Sequence, residues 1–588
     1  MKHLFSNSFY AFIKSLLLIN FTMLTRRRRD CFTKTFKNAL VLPALIVLML
    51  TSHTYGQTKS NGNEGMSKLN ADSLAKHIAV LSSDQFEGRK PFTRAETKTI
   101  HYLRDQFKRL GLTPGNGKSY FQDVPMVNIA TTASPAMLVT SSKSSFTLKG
   151  YEDYVVWTDK TDPAITIENS EVVFAGYGVV APEYNWNDYA GLDVKNKIVL
   201  VLVNDPGFNN HDTTLFKGKT MTYYGRWTYK FEEAARQGAK GCLIVHNTEG
   251  ASYSFSVVQN NWNTSRLHLD NRGKNEKNCD MIGWVSSDAA KRMLAAAGSD
   301  TTLFALADKR GFKPVPLDLK ISTSMQVKST YNKSHNVIAT ITGTKRPNEY
   351  IIYSAHWDHL GIGKPDEKGD SIYNGALDNA SGTAGLLELA RVFKSLKRKP
   401  ERTIVFLSVT AEEQGLWGSA YYAQNPVFPP AKTVADINMD ELEAFEKTKD
   451  VVVVGAGQSE LEDYLKEAAQ KAGRYVAFET HPEAGGYFRS DHFNFAKIGI
   501  PSLYTGGGID VAGKGPAYGR QQQEEYNTKH YHRPSDEYNP KTWTLAGAIE
   551  NLKLLFAVGK RLAFDTVMPQ WKQGSEFKAI REKSLGKR

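Results

Sequence analysis

Residues 350–361 read YIIYSAHWDHLG, an apolar run that stops at an imidazole, His356, with a carboxylate two positions on at Asp358. Such a run, with no polar alternation, suits a strand buried on both faces, as in a parallel sheet. Open α/β sheets hold their ligand crevice at the carboxyl ends of these strands, where His356 falls. Taken alone, an H-x-D after a strand is equally well a polar surface turn. Working outward, further apolar runs occur at 337–341, 403–409, 434–439, 451–454 and 500–504, with helical spacing at 383–396, 460–472 and 542–562. Strands alternating with helices predict an α/β fold, a mixed but mostly parallel central sheet flanked by helices. Upstream, 69–112 has helical spacing and stops at Gly111, Pro114 and Gly115. Between about 146 and 327 the texture changes to short β-type runs broken by Gly, Pro and Asn, with one amphipathic helix at 228–237 before a strand at 241–245. The predicted organisation is a targeting segment at 1–56, a first part of the α/β domain at 57–140, a β-rich insert at 141–326, the main part at 327–565 and a basic tail at 566–588.

The chain has 588 residues, 41% hydrophobic, with 74 Lys+Arg against 61 Asp+Glu, a net charge of +13 and three cysteines. Three cysteines exclude a disulfide-rich scaffold and a cysteine-based zinc module. The charge alone would suggest nucleic acid or a membrane surface as partner. Its distribution argues otherwise. Residues 1–56 hold eight basic residues, with Arg26 to Arg29 among them, and one acid, Asp30; the remainder has 66 basic and 60 acidic residues. The basic cluster precedes the 12-residue apolar run 39–50 and the small or polar residues 51–56, the order of a secretory signal peptide. The run is short of the ~18–20 residues a membrane span needs. The expectation is an exported protein, periplasmic or extracellular, with no nucleic-acid partner, no lasting membrane span, and Met23 as the true start. Cys242 and Cys279 would remain after cleavage.

Four strand ends or the loops after them present metal-type donors. His356 follows the first strand, and Asp378 lies in ALDNASG at a helix start, where an Asp would either cap the helix or offer both oxygens to two cations. The strand 403–409 empties into Glu412-Glu413, a pair that faces one crevice only if the backbone turns there. The strand 434–438 leads to Asp440, and the C-terminal loop carries His532. Two imidazoles and three carboxylates suit zinc. The set carries −3 with neutral imidazoles, so one Zn²⁺ leaves −1 and two give +1, which a bridging hydroxide cancels.

The runs SAHWDHLG, NGALDNASG, TAEEQG, NMDE, FRSDHFNFAKIGIP and YHRPSDE together resemble the signature segments of the M28 family of zinc aminopeptidases. FAGYGV, YAGLDVKNKIVLV and AARQGAKGCLIVH resemble the protease-associated domain often inserted in such enzymes. The resemblance implies a zinc exopeptidase fold with two Zn²⁺ per chain. In it His356 and Asp440 bind one ion, Glu413 and His532 the other, and Asp378 bridges them. It further implies that Asp358 orients His356, that Glu412 is the general base, that Tyr531 steadies the oxyanion, and that the Asp378-Asn379 peptide is cis. Ser490-Asp491-His492 matches a segment near the substrate pocket, with a supporting role for His492 rather than ligation. The bulky Trp357 departs from many relatives; it either lines the pocket or is a buried structural residue. Asn374, Tyr487 and Arg489 are further pocket candidates.

The function expected is hydrolysis of N-terminal residues from peptides with a free N-terminus. A glutaminyl-cyclase-like transferase would share the fold with one zinc, and a binding module on an inactive scaffold would have lost some of the six site residues. A carboxypeptidase-type specificity would need cations for the substrate carboxylate, to which Arg489 or Arg533 would contribute.

Overall fold

The computed structural model describes residues 64–270, 272, 278–442 and 446–586. The expected leader, with Met23, lies outside the described residues. Among those described, no helix is long and apolar enough to cross a membrane.

The strand that opens the sequence argument, Arg346–His356, is central. It runs parallel to Arg402–Val409 on one side and to Thr433–Asn438 on the other, and Ser502–Gly507 continues the parallel set. Antiparallel partners follow on both sides: residues 337–341 beside Arg402–Val409, and Asp450–Val453 beside Ser502–Gly507, with Tyr475–Phe478 parallel to Asp450–Val453 beyond it. All eight residues of Arg402–Val409 and all six of Thr433–Asn438 are buried, so neither strand alternates in polarity. The helices Ala71–Leu81, Arg94–Arg109, Gly382–Lys394 and Ala546–Phe564 cover one face, and Trp417–Gln424 with His492–Lys497 cover the other through Tyr422 and Phe495. Every parallel strand therefore delivers its last residues to one edge of a sheet covered on both faces.

One strand, Val315–Ile341, is 27 residues long and belongs to two sheets. Its C-terminal end lies in the sheet just described. Its middle pairs with Phe121–Ala133, from Val337 opposite Phe121 to Met325 opposite Ala133. Its N-terminal end pairs with Ala164–Phe174 in a separate sheet whose core runs from Ala133 to Met325. This second sheet holds the parallel strands Ile198–Leu202, Gly241–Val245 and Met281–Val285. The chain thus leaves and re-enters the first sheet through one two-stranded ribbon. Cys242 and Cys279 are both buried, free thiols.

Two elements differ from expectation. Gly515–Lys529 is a helix although its sequence, GPAYGRQQQEEYNTK, has no apolar face, because only Gly519 and Tyr526 are buried. The segment 566–588 has the charge of a solvated tail, yet Trp571, Phe577 and Arg581 are 3%, 1% and 1% exposed. Arg581 donates to the carbonyls of Pro430 and Thr433, so one buried guanidinium ties the segment to the loop before a central strand.

Candidate metal centre

Each donor reaches the sheet edge through a local backbone device. Ala411 has φ of 53°, a left-handed conformation directly before Glu412-Glu413, and this is the turn that lets adjacent glutamates enter one crevice. Glu441, after Asp440, and His532 are left-handed as well, at 57° and 55°. The Asp378-Asn379 peptide is cis. Asn379 fastens its neighbours: its Nδ2 donates to the Met439 carbonyl, and its Oδ1 accepts from Gly382 and Glu441 N–H groups.

The structure brings five of the predicted residues together. His356 Nε2 lies 3.1 Å from Asp440 Oδ1 and 3.3 Å from Asp378 Oδ1. His532 Nε2 lies 3.1 Å from both Asp378 Oδ2 and Glu413 Oε2. Asp378 therefore offers one oxygen to each imidazole. Glu412 adjoins the first group, its carboxylate within 4.8 Å of donor atoms on His356 and Asp440. These carboxylates create a field strong enough to hold protons. Burial alone would lower His356, but the Asp440 and Glu412 charges and hydrogen bonds to Asp378 and Asp440 raise it well above 6.5. Burial likewise opposes, and bonds to Asp378 and Glu413 overcome, so that His532 rises to about 11. Glu412 has no such partner; burial, with the charges of Asp440 and Glu413 against it, pushes it well above the usual carboxylate range. A field that retains protons on two imidazoles is one that attracts cations.

Asp358 takes a different place from the one expected. The His356 Nδ1 is held by the main-chain carbonyl of Asp358 at 3.1 Å, whereas the carboxylate is 3.8 Å away and accepts the Glu412 N–H at 3.1 Å. Burial pushes this carboxyl up to about 8. It is better described as a brace for the Glu412 turn, because the tight loop lets the nearer carbonyl reach the imidazole first. Tyr531 stacks on His532 with ring centroids 3.9 Å apart and is 40% exposed. Burial together with the Asp378 and Glu441 charges raises its phenol, leaving a hydrogen-bond donor. Trp357 is fully buried and donates to the His335 carbonyl, so it does not line the site. Asn374 bonds Ser82 and Asp84, and His492 is enclosed by Tyr487 and Tyr504. Arg489 does reach the site: with Asp378, Glu412, Asp440, Tyr504 and Tyr531 it lines a cavity of about 260 Å³. Arg533 is exposed and outside that lining.

Four residues support the site, of which sequence reasoning placed only Ser490 nearby, without a role, and missed His359, Asp536 and Arg89. His359, fully buried, places Nδ1 2.5 Å from Glu413 Oε1. Its donor atoms also fall within 4.8 Å of Asp378 and Glu413, but 2.5 Å is closer than two ligands of one tetrahedral zinc stand, about 3.3 Å, and marks a short hydrogen bond, so His359 orients Glu413. Ser490 donates to Asp440 Oδ2 and accepts from Asn438. Asp536 accepts the N–H groups of Leu377 and Asp378. Arg89, from the N-terminal segment, donates to the carbonyls of Trp357, Asn374 and Gly375 and so ties both metal-bearing loops together. The runs HWDH and PSD were visible signals for two of these; nothing local marked Arg89.

Comparison with known proteins adds the following. Residues 336–557 match peptidase family M28. A probable zinc metalloprotease of Pyricularia oryzae is 45% identical over 92 residues, 16% of this chain and 18% of that protein. Aminopeptidase NAALADL1 of Mus musculus is 36% identical over 138 residues, 22% of this chain and 17% of that protein. The chain thus spans about a fifth of the length of the curated relatives it matches. Among solved structures, an aminopeptidase from Aneurinibacillus sp. strain AM-1 superposes with a TM-score of 0.46 at 21% identity, covering 85% of this chain and 96% of that one.

Proposed function

We propose that the chain, whose residues 336–557 match peptidase family M28, is an exported exopeptidase with two zinc ions that removes N-terminal residues from peptides. The observation that carries this reading is the spacing of the donor atoms. Four ligands at ~2.0–2.1 Å around a tetrahedral zinc lie about 3.3–3.4 Å from one another, and the pairs at His356 and His532 are 3.1–3.3 Å apart. The donor set fits zinc in kind and in distance. His356 and Asp440 would hold one ion, Glu413 and His532 the other, with Asp378 shared. Bound there, zinc supplies Lewis acidity that brings the pKa of water to about 7.

The chain's own groups do the rest. Glu412, beside the donor set but paired to no imidazole by a hydrogen bond, accepts a proton from the attacking water and returns it to the leaving amine. Tyr531 donates to the oxygen that gains charge. Asp358 fixes the Glu412 main chain through its N–H, and His359 and Ser490 fix the free oxygens of Glu413 and Asp440. The acidic lining supplied by Glu441 and Glu479 attracts a substrate α-ammonium. Export is supported by the order of charge and apolar residues in 1–56.

Cleavage of matched peptides with free and acetylated N-termini tests the reading. Hydrolysis that disappears on acetylation is expected; hydrolysis indifferent to it contradicts an aminopeptidase.

A further inference from the structure

The turn that brings Glu412 and Glu413 into the crevice is held in a conformation that its own residues disfavour. Ala411 and Leu416, neither of them glycine, are both left-handed, with φ of 53° and 62°. Such residues persist only where their surroundings fix them. Some of that support lies within the turn: the Gly415 and Leu416 N–H groups both donate to the Glu412 carbonyl at 2.9 Å. The Trp417 indole N–H adds a bond to the Gln414 carbonyl at 2.8 Å. The rest comes from outside. Asp358 accepts the Glu412 N–H, and Asn494 donates to the Leu416 carbonyl. Glu413 is held by His359 as well. The Glu412 carboxylate has no comparable hydrogen bond among the described residues, so its aim depends on the main chain that carries it.

The β-rich insert closes the outer side of this turn. Its strand Ser265–Leu269 pairs antiparallel with Phe121–Ala133, Leu269 opposite Met126. Leu267 and Leu269 share one apolar cluster with Val124, Met126 and Ala411, and Trp417 packs against it. His268, between the two leucines, places its ring 5.1 Å from that of Trp417, inclined by 50°. Its Nε2 stands 3.4 Å from Asp159 Oδ1, another residue of the insert. One left-handed residue, Ala411, and the neighbour of the other, Trp417, thus rest on the insert. His268 is not among the residues that line the cavity with Glu412 and Asp440; with Trp417 it lines the wider cleft outside.

We propose that the insert is a positioning element for the reaction: through Leu267, Leu269 and His268 it fixes the turn that aims Glu412 at the attacking water. This inference rests on the exopeptidase reading above, in which Glu412 is the general base. His268 and Trp417 act through the main chain of Glu412 and are positioning residues. One aromatic pair contributes little to a fold of this size, but misplacing a reacting group by about 1 Å costs up to about 100-fold in rate. Loss of the pair is therefore read in turnover before it is read in global stability.

The test compares His268→Ala, which removes the ring, with His268→Phe, which keeps one against Trp417. In zinc-loaded full-length protein, kcat for a free N-terminal peptide is expected to fall about 10- to 100-fold in His268→Ala. KM and zinc content stay at wild-type values, and His268→Phe recovers most of the loss. In the metal-free protein, hydrogen exchange of the Gly415, Leu416 and Trp417 amides is expected to be about 2- to 10-fold faster in His268→Ala, the worth of one aromatic pair. The amides of Arg346–His356 report any general loosening and stay unchanged. A raised KM at unchanged kcat would make His268 a substrate contact and overturn the proposal, as would unchanged exchange at the turn or equal acceleration in the central strand. Faster exchange at the turn, recovered in His268→Phe, without turnover of any peptide by the wild type would overturn the exopeptidase reading and leave the brace standing. Turnover by the wild type that is the same in His268→Ala does the reverse.

Discussion

Asp536 holds no ligand position, yet its carboxylate receives the N–H groups of Leu377 and Asp378 and the Tyr526 hydroxyl, while its own backbone carbonyl takes the Ala376 N–H. It fixes the main chain on which the shared carboxylate stands. Removing it in Asp536→Ala leaves buried donors without partners, at a cost of about 1–3 kcal/mol each. Zinc affinity is expected to fall about 10- to 100-fold, measured by competition with a chelator; unchanged affinity would contradict the bracing role. His492 makes a second case. Burial among Tyr487 and Tyr504 lowers it from 6.5 to about 3. Between those values the unfolded chain binds more protons than the folded one, so the stability of the neutral ring is complete above about pH 6.5 and is lost as the pH falls toward 3. Each unit of acidification in that window costs about 1.4 kcal/mol. His492→Phe is expected to flatten the decline of stability with acid by one proton's slope in denaturant titrations between pH 6 and 4; an unaltered slope would contradict it. The six site residues were legible in the sequence because each stands at the end of an apolar run or in a loop beside it. His359 and Asp536 were not assigned, since their work is to hold another residue, and spacing carries no mark of that.

At the scale of elements, the buried parallel strands were readable as uninterrupted apolar runs, and Gly241–Val245 and Gly382–Lys394 fall where the pattern places them. The Gly515–Lys529 helix was not, because a helix with two buried residues has no apolar period to read. Close approach explains one unusual choice within a well-patterned helix. Gly559 lies in the middle of Ala546–Phe564, and a Cβ there would come within 1.8 Å of the Tyr353 hydroxyl oxygen. That hydroxyl donates to the Leu555 carbonyl and joins the helix to the central strand. Gly559→Ala would gain up to about 1 kcal/mol of helix propensity in the open. Here the overlap is with a fully buried tyrosine, and overpacking at about 1–3 kcal/mol prevails. A lower denaturation midpoint is expected, recovered only in part in the Gly559→Ala/Tyr353→Phe double variant, because the ring Cζ still lies 2.6 Å from the added Cβ; a stabilised single variant would contradict the packing argument.

Over the whole molecule, the insert and the domain that carries the metal centre share more than the Phe121–Ala133 and Val315–Ile341 ribbon. Met221 and Tyr223 of the insert pack with Tyr487, Phe488 and Phe493, and the C-terminal Trp571 and Phe577 complete the cluster. Glu576 accepts from the Tyr223 N–H and pairs with Lys217. The C-terminal segment is thus a clamp that seats the insert beside Arg489 and the metal centre. Removal of residues 570–588 is expected to lower the thermal midpoint and to open the insert to limited proteolysis; unchanged resistance would contradict the clamp. Composition alone hid this, since a charged segment held by a few buried anchors resembles a solvated tail.

The most direct measurement is zinc content together with hydrolysis for the wild type, Glu412→Gln and Glu413→Ala. The account predicts about two zinc ions per chain in the wild type and in Glu412→Gln, with kcat for a free N-terminal peptide reduced at least about 100-fold in the latter, and loss of zinc in Glu413→Ala. Full activity in Glu412→Gln, or a single zinc retained equally in all three proteins, would contradict it.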